Sequence, residues 1–290
     1  MNNVVIRSLS GIIYIAVIVG AILGGGWWFY LLTLVFCITA TFEYQHLCEA
    51  KSGHFIPAHI RAFDALGALF LWAVLPITLL PETMSYSQVE AMSTGVYYAG
   101  IIMIIIFVLL TLFIVGRLCL AVFDKSEDAW GSAAKSFLGI IYIGLPLSAL
   151  NFFALPQINF WYVLMTFILI WVNDTGAFCV GSTLGRRRLC ERLSPKKSWE
   201  GFYGGLLFCI IAGILYAAFS DSSIVAWAIY GAVVSGMATI GDLFESMIKR
   251  LAGVKDSGNL IPGHGGVLDR IDSLLFVIPA AIVYWIIALL

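Results

Sequence analysis

The apolar positions of this chain come in long unbroken stretches, parted by short polar ones. Residues 8–42 contain no charged side chain at all. That is far more than the roughly 20 apolar residues that cross a bilayer as one helix. Gly24, Gly25 and Gly26, followed by Trp27 and Trp28, divide the stretch in two, and tryptophan suits a membrane interface. Further stretches of spanning length run over 62–80, 96–116, 136–155, 159–182, 202–219, 224–248 and 273–290. The pattern predicts an all-α polytopic membrane protein of about nine transmembrane helices. It reads as a single integral membrane domain over 1–290. Residues 1–157 form a helical scaffold; residues 158–290 carry the polar clusters and the loops that would do chemistry.

Composition agrees. Apolar residues make up 61% of the chain and the mean hydropathy is +0.98, against about 45–50% apolar residues in a soluble domain. The net charge of −1 says little; the placement of charge says more. With the spans above, all 16 Lys and Arg residues fall on one side of the membrane. The other side carries Glu82, Glu90 and Asp221. The positive-inside rule puts the basic side and the N-terminus in the cytoplasm, and Leu290 on the opposite side. Residues 8–42 are too long for a signal-peptide core, so the first stretch is expected to stay as a span. With no organelle-targeting segment, the expected location is the bacterial cytoplasmic (inner) membrane. The six cysteines show no C-x-x-C pairing. They are expected to act as small hydrophobes, with no structural disulfide and no zinc site. His46, His54 and His59 read as solvated loop residues.

Three polar clusters stand out after residue 170. Asn173 and Asp174 sit inside a predicted span, where ionisable groups are costly and functional by default; the alternative is a capping role near the Arg186 cluster. The second cluster, S-P-K-K-S over 194–198, suits a helix start with Pro at its first position. Lys196, Lys197 and Ser198 would then stand at a helix N-terminus that favours anions.

The third cluster runs from Asp242 to Asp272. Asp242, Glu245, Ser246 and Lys249 share one helix face. Beyond them lies a glycine-rich loop around His264, whose backbone N–H groups can approach a ligand closely. Asp242, Asp256, Asp269 and Asp272 could hold a divalent cation. Lys249, Arg250, Lys255 and Arg270 could hold phosphate. Mg²⁺ fits, since it takes few protein ligands plus substrate phosphates. His264, flanked by glycines, reads better as a phosphate donor or a loop-shaping residue than as a base.

These residues resemble the signature of the phosphatidate cytidylyltransferases, the CDP-diacylglycerol synthases. The resemblance rests on Ser246, Lys249-Arg250, Lys255-Asp256, Pro262, His264-Gly265-Gly266, Asp269-Arg270 and Asp272. It extends to Asn173-Asp174-Thr175-Gly176-Ala177 and Ser194-Pro195-Lys196-Lys197. Phe178 stands where tyrosine is common and Ser198 where threonine is common, and neither change removes a charge. The resemblance implies transfer of CMP from CTP to phosphatidic acid, giving CDP-diacylglycerol and pyrophosphate. It also implies Mg²⁺ dependence and commonly a homodimer. Membrane lipids are expected partners and nucleic acid is not, and the positive-inside rule turns the active site to the cytoplasm. A two-metal arrangement would hold both attacking and leaving oxygens. Asp242 and Asp269 lead as metal ligands, with Asp272 and Asp256 behind them. Lys196, Lys197, Lys249, Arg250, Lys255 and Arg270 would neutralise phosphates. Ser198 and Ser246 would donate hydrogen bonds, and Asn173 and Asp174 would orient the nucleotide or a basic residue. The rival readings are a CTP-dependent polyprenol kinase and an anionic-lipid transporter.

Overall fold

The computed structural model describes residues 3–52, 56–79, 89–124, 128–152 and 160–289. His54, Glu82 and Lys125 lie outside the described residues. The helices among them are α1 (Asn3–Gly24), α2 (Gly26–Ser52), α3 (Ala58–Leu79), α4 (Val89–Phe123) and α5 (Ala129–Phe152), then α6 (Phe160–Leu184), α7 (Trp199–Phe219), α8 (Ile224–Ala252) and α9 (Leu268–Leu289). Each apolar stretch of the sequence overlaps one of them in its described part. Among the described residues, six helical segments are long and apolar enough to cross a membrane, in α2 and α5–α9; α1 and α4 carry shorter apolar segments, Ser8–Gly24 and Phe107–Phe123. The break between α1 and α2 comes where the glycines predict it. Gly25 and Gly26 take φ of +61° and +41°, a backbone region that glycine enters without a Cβ penalty.

One element departs from an all-α chain. Strands β1 (Arg188–Cys190) and β2 (Ser194–Ser198) pair antiparallel as a short hairpin ahead of α7. Pro195, Lys196 and Lys197 therefore lie in an extended strand, and the expectation that they open a helix is corrected. Ser198 sets the boundary. Its backbone is extended (φ −125°, ψ 157°) and its side chain accepts the Gly201 N–H, so the helix begins after it. A serine in that conformation satisfies one of the otherwise unpaired first-turn amides. Glu200, in the first turn, accepts the backbone N–H groups of Arg186 and Arg187 and holds the hairpin against the helix start.

The described chain forms two compact units. The first comprises residues 1–160 with 257–268, and the second 161–256 with 269–290. In the first, the central feature is a buried ion pair. Arg117, inside α4 rather than in a loop, donates through Nε to Asp64 Oδ1 at 2.9 Å and through Nη2 to Ser136 Oγ at 2.9 Å. Ser136 closes the ring by donating to Asp64 Oδ2 at 2.5 Å. Neither Arg117 nor Asp64 is more than 2% exposed. Removing one partner of such a pair strands the other charge, at a cost of about 3–5 kcal/mol. Asp64→Asn is accordingly expected to lower stability by that amount, read by thermal unfolding in detergent; an unchanged transition would show that Arg117 finds water instead.

In the second unit, α7 packs on α6 and α8 through a stripe of small residues. Gly201, Gly205, Cys209, Gly213 and Ala217 recur every fourth position and all are buried. A Cβ at Gly213 would fall 2.3 Å from the Trp227 carbonyl oxygen, and one at Gly205 would fall 2.6 Å from Asn173 Oδ1. Small residues at fourfold spacing let helix backbones approach closely where there is no water to drive association. One end of this unit is filled by Tyr162, Tyr216, Trp227, Tyr230 and Trp285 in mutual ring contact. Thr166 of α6 is hydrogen-bonded to the Tyr230 hydroxyl at 2.6 Å.

Candidate active site

The close approach of α7 to α6 at Gly205 fixes the first polar residue. Asn173 on α6 is 4% exposed. Its Oδ1 accepts a 2.7 Å hydrogen bond from Ser235 Oγ on α8, and its Nδ2 faces Asp174 Oδ1 at 3.5 Å. The hairpin then brings in the bases. Lys197 Nζ stands 2.5 Å from Asp242 Oδ2 on α8. The other Asp242 oxygen accepts from Ser246 Oγ, one turn along, at 3.2 Å. Asn173, Asp174, Lys196, Lys197, Ser198 and Asp242 line one cavity of about 580 Å³. Arg188, which sequence reasoning treated only as part of a basic run, lines it too. Phe178, Leu189 and Phe202 supply apolar wall. The structure thus brings together residues from all three polar clusters.

Charges are concentrated around this cavity. Asp174, Asp242 and Asp272 stand close enough to repel one another, while Lys197 and Arg270 attract Asp174 and Lys249 attracts Asp272. Asp272 accepts the Ser273 N–H at 2.6 Å. The α8–α9 approach that places it depends on Gly241, where a Cβ would lie 2.7 Å from the Asp272 carbonyl oxygen.

Lys249 occupies a different environment from the one its position in a basic stretch suggests. Its Nζ lies 2.6 Å from Asp269 Oδ1 and in ion-pair contact with Glu245, one turn back on α8. The three side chains are 12%, 4% and 1% exposed for Lys249, Asp269 and Glu245. Beyond the ion pair, neither Glu245 oxygen accepts a well-formed hydrogen bond. Lys249 is therefore enclosed by two carboxylates.

Arg250 is turned to the backbone. Its Nε donates to the Leu193 carbonyl at 3.3 Å and its Nη1 to the Val254 carbonyl at 3.2 Å. This ties the hairpin turn to the end of α8. Lys255 and Asp256 are exposed, just past the left-handed cap Gly253 (φ +74°), and do not line the cavity. Arg270 is exposed in the first turn of α9.

His264 belongs to the first unit, in the loop Ser257–Leu268. Its Nδ1 lies 2.7 Å from Ser10 Oγ of α1, and its N–H closes a turn on the Ile261 carbonyl at 2.9 Å. Gly263 and Gly265 on either side take φ of +74° and +81°. In the same unit is a carboxylate that sequence reasoning missed. Glu43 of α2 accepts the amides of Val267 and Leu268 at 2.9 and 2.7 Å, and Ser257 Oγ at 3.1 Å. The signal in the sequence was its position, as the charge that ends the uncharged stretch 8–42.

The sequence matches the cytidylyltransferase family over residues 5–288. It is 38% identical over 160 residues to the phosphatidate cytidylyltransferases of Staphylococcus haemolyticus (strain JCSC1435) and Staphylococcus saprophyticus subsp. saprophyticus. It is 37% identical over the same length to that of Staphylococcus aureus (strain COL). Each alignment covers 54% of this chain and 61% of the relative, so the chain spans about three-fifths of the length of these curated relatives.

Proposed function

The chain belongs to the cytidylyltransferase family, and from that premise we propose that it is a phosphatidate cytidylyltransferase of phospholipid biosynthesis. It transfers CMP from CTP to phosphatidic acid, giving CDP-diacylglycerol and pyrophosphate. The observation that carries this reading is the cavity shared by Asn173, Asp174, Lys196, Lys197 and Asp242. It joins phosphate-binding bases to carboxylates in a protein with six described helical segments long and apolar enough to cross a membrane. On the positive-inside rule, the cavity's basic hairpin faces the cytoplasm.

The chemistry follows from charge. A phosphate oxygen of phosphatidic acid attacks the α-phosphorus of CTP. The new O–P bond forms as the bond from that phosphorus to the bridging oxygen breaks, and pyrophosphate leaves with the electron pair. The nucleophile is already ionised at neutral pH, so no strong base is needed. The barrier lies in bringing an anion to a polyanion, and neutralisation and alignment dominate its lowering. Lys196, Lys197 and Arg188 neutralise phosphates in the cavity. Asn173, held by Ser235, presents a fixed amide beside Asp174.

The residues present fit Mg²⁺. No histidine or cysteine lines the cavity, and among the described residues no three His, Cys, Asp or Glu side chains form a ready cage. Mg²⁺ is commonly held by one or two carboxylates together with substrate phosphates, so a finished cage is not needed. Asp242 and Asp272 would hold it, with Asp269 one turn earlier on α9. The bound ion would supply further neutralisation of phosphate charge.

The test uses the purified protein in detergent with phosphatidic acid, Mg²⁺ and CTP labelled at the α-phosphorus. Label entering the lipid with release of pyrophosphate is the expected result. Label staying in water as CDP, with a supplied polyprenol phosphorylated, would overturn it in favour of a lipid kinase. No turnover with either lipid would favour transport.

A further inference from the structure

The loop Ser257–Leu268 is built around one carboxylate. Glu43 reaches it from α2, more than two hundred residues away in sequence, and takes three hydrogen bonds, two of them from consecutive amides, Val267 and Leu268. Those amides stand where α9 begins, and the first amides of a helix have no partner within it. The loop is also shaped to admit this side chain. A Cβ at Gly266 would fall 2.3 Å from Glu43 Oε2, and one at Gly258 would fall 2.8 Å from Oε1. Neither glycine takes a positive φ, so backbone conformation does not demand them; the space occupied by Glu43 does. Two glycines, a serine and two amides thus converge on one anion. The loop they fix carries Pro262, His264, Gly265 and Gly266 of the signature, and Asp269 follows it directly in the chain.

We propose that Glu43 is a positioning residue for CMP transfer, acting by holding the Ser257–Leu268 loop in one conformation. The inference rests on the cytidylyltransferase reading. Glu43 need not touch substrate. A carboxylate offers two anionic oxygens to amide and hydroxyl donors, and charge-assisted hydrogen bonds of this kind are roughly twice as strong as neutral ones. Glutamine at this position would keep the shape but turn an N–H₂ toward amide donors.

The test compares wild type, Glu43→Gln and Glu43→Asp in detergent. It measures steady-state CMP transfer, and also amide hydrogen exchange across 257–268. Glu43→Gln is expected to lower kcat at least tenfold with KM for CTP changed less than twofold, and to speed exchange at Val267 and Leu268. Exchange in α7 and α8 should stay at the wild-type rate, showing that the fold is kept. Glu43→Asp, which retains the charge, should recover part of kcat. Gly266→Ala should reproduce the Glu43→Gln defect in the wild-type background and add little to Glu43→Ala, which vacates the space. Unchanged exchange in Glu43→Gln would overturn the proposal. So would faster exchange with wild-type kcat, since the loop would then be held to no catalytic end. Failure of the wild type to transfer CMP would refute the functional reading instead, and would leave the exchange rates to decide whether Glu43 holds the loop.

Discussion

Asp242→Asn is expected to abolish nearly all CMP transfer while leaving the fold in place. The loss should be about 10²–10³ in turnover, the scale of removing one preorganised electrostatic group from an active site. Asp242 is the residue on which the cavity's charges meet: Lys197 from the hairpin, Ser246 from its own helix, and the repelling carboxylates Asp174 and Asp272. Stability should hardly change. The side chain is 34% exposed and Lys197 28%, and ion pairs with that much access to solvent contribute about 0–1 kcal/mol. Asparagine keeps an oxygen for Ser246. Lys197→Met should also lower turnover, and the double variant should lose less than the sum of the two single losses, because residues in one ion pair do not act independently. Near-wild-type turnover by Asp242→Asn in correctly folded protein would remove Asp242 from the site.

The helices were legible because lipid leaves the chain little choice. Every backbone amide must be satisfied within a spanning segment, so long uncharged stretches become helices, and even the break at Gly25 and Gly26 could be placed. Part of the cavity's lining was expected from the sequence for a related reason. Asp174 and Asp242 are costly inside apolar helices, and the structure gives them one shared cavity. The geometry of the bases was harder to read. Lys196 and Lys197 look like a helix start after Pro195, but the choice between strand and first turn rests on Ser198, whose hydroxyl caps α7, and on Glu200, which gathers the amides of Arg186 and Arg187. Long-range pairings left no local trace. Arg117 reads as a loop charge until Asp64 is seen opposite it. Glu43 reads as the end of a span until the two glycines and two amides that surround it are brought up from beyond residue 257.

Lys249 separates two roles that sequence alone could not. As a phosphate ligand it would be dispensable to the fold, and Lys249→Met would lose turnover with an unchanged unfolding transition. The structure favours a different outcome. Lys249 stands between Asp269 and Glu245, which are 4% and 1% exposed. Methionine would leave two buried carboxylates facing each other with no cation. Stranding a buried charge costs about 3–5 kcal/mol, so Lys249→Met is expected to lower stability by at least that range, measured by thermal unfolding in detergent. Asp269→Asn provides the contrast. It takes one negative charge from a group of two carboxylates and one ammonium, and leaves Lys249 and Glu245 as a matched pair. Stability should then stay near wild type while turnover falls almost completely, because the carboxylate at the head of α9 is lost. Adding Glu245→Gln to Lys249→Met should restore part of the lost stability, since only one buried charge then remains. A Lys249→Met protein as stable as wild type would return this lysine to the phosphates.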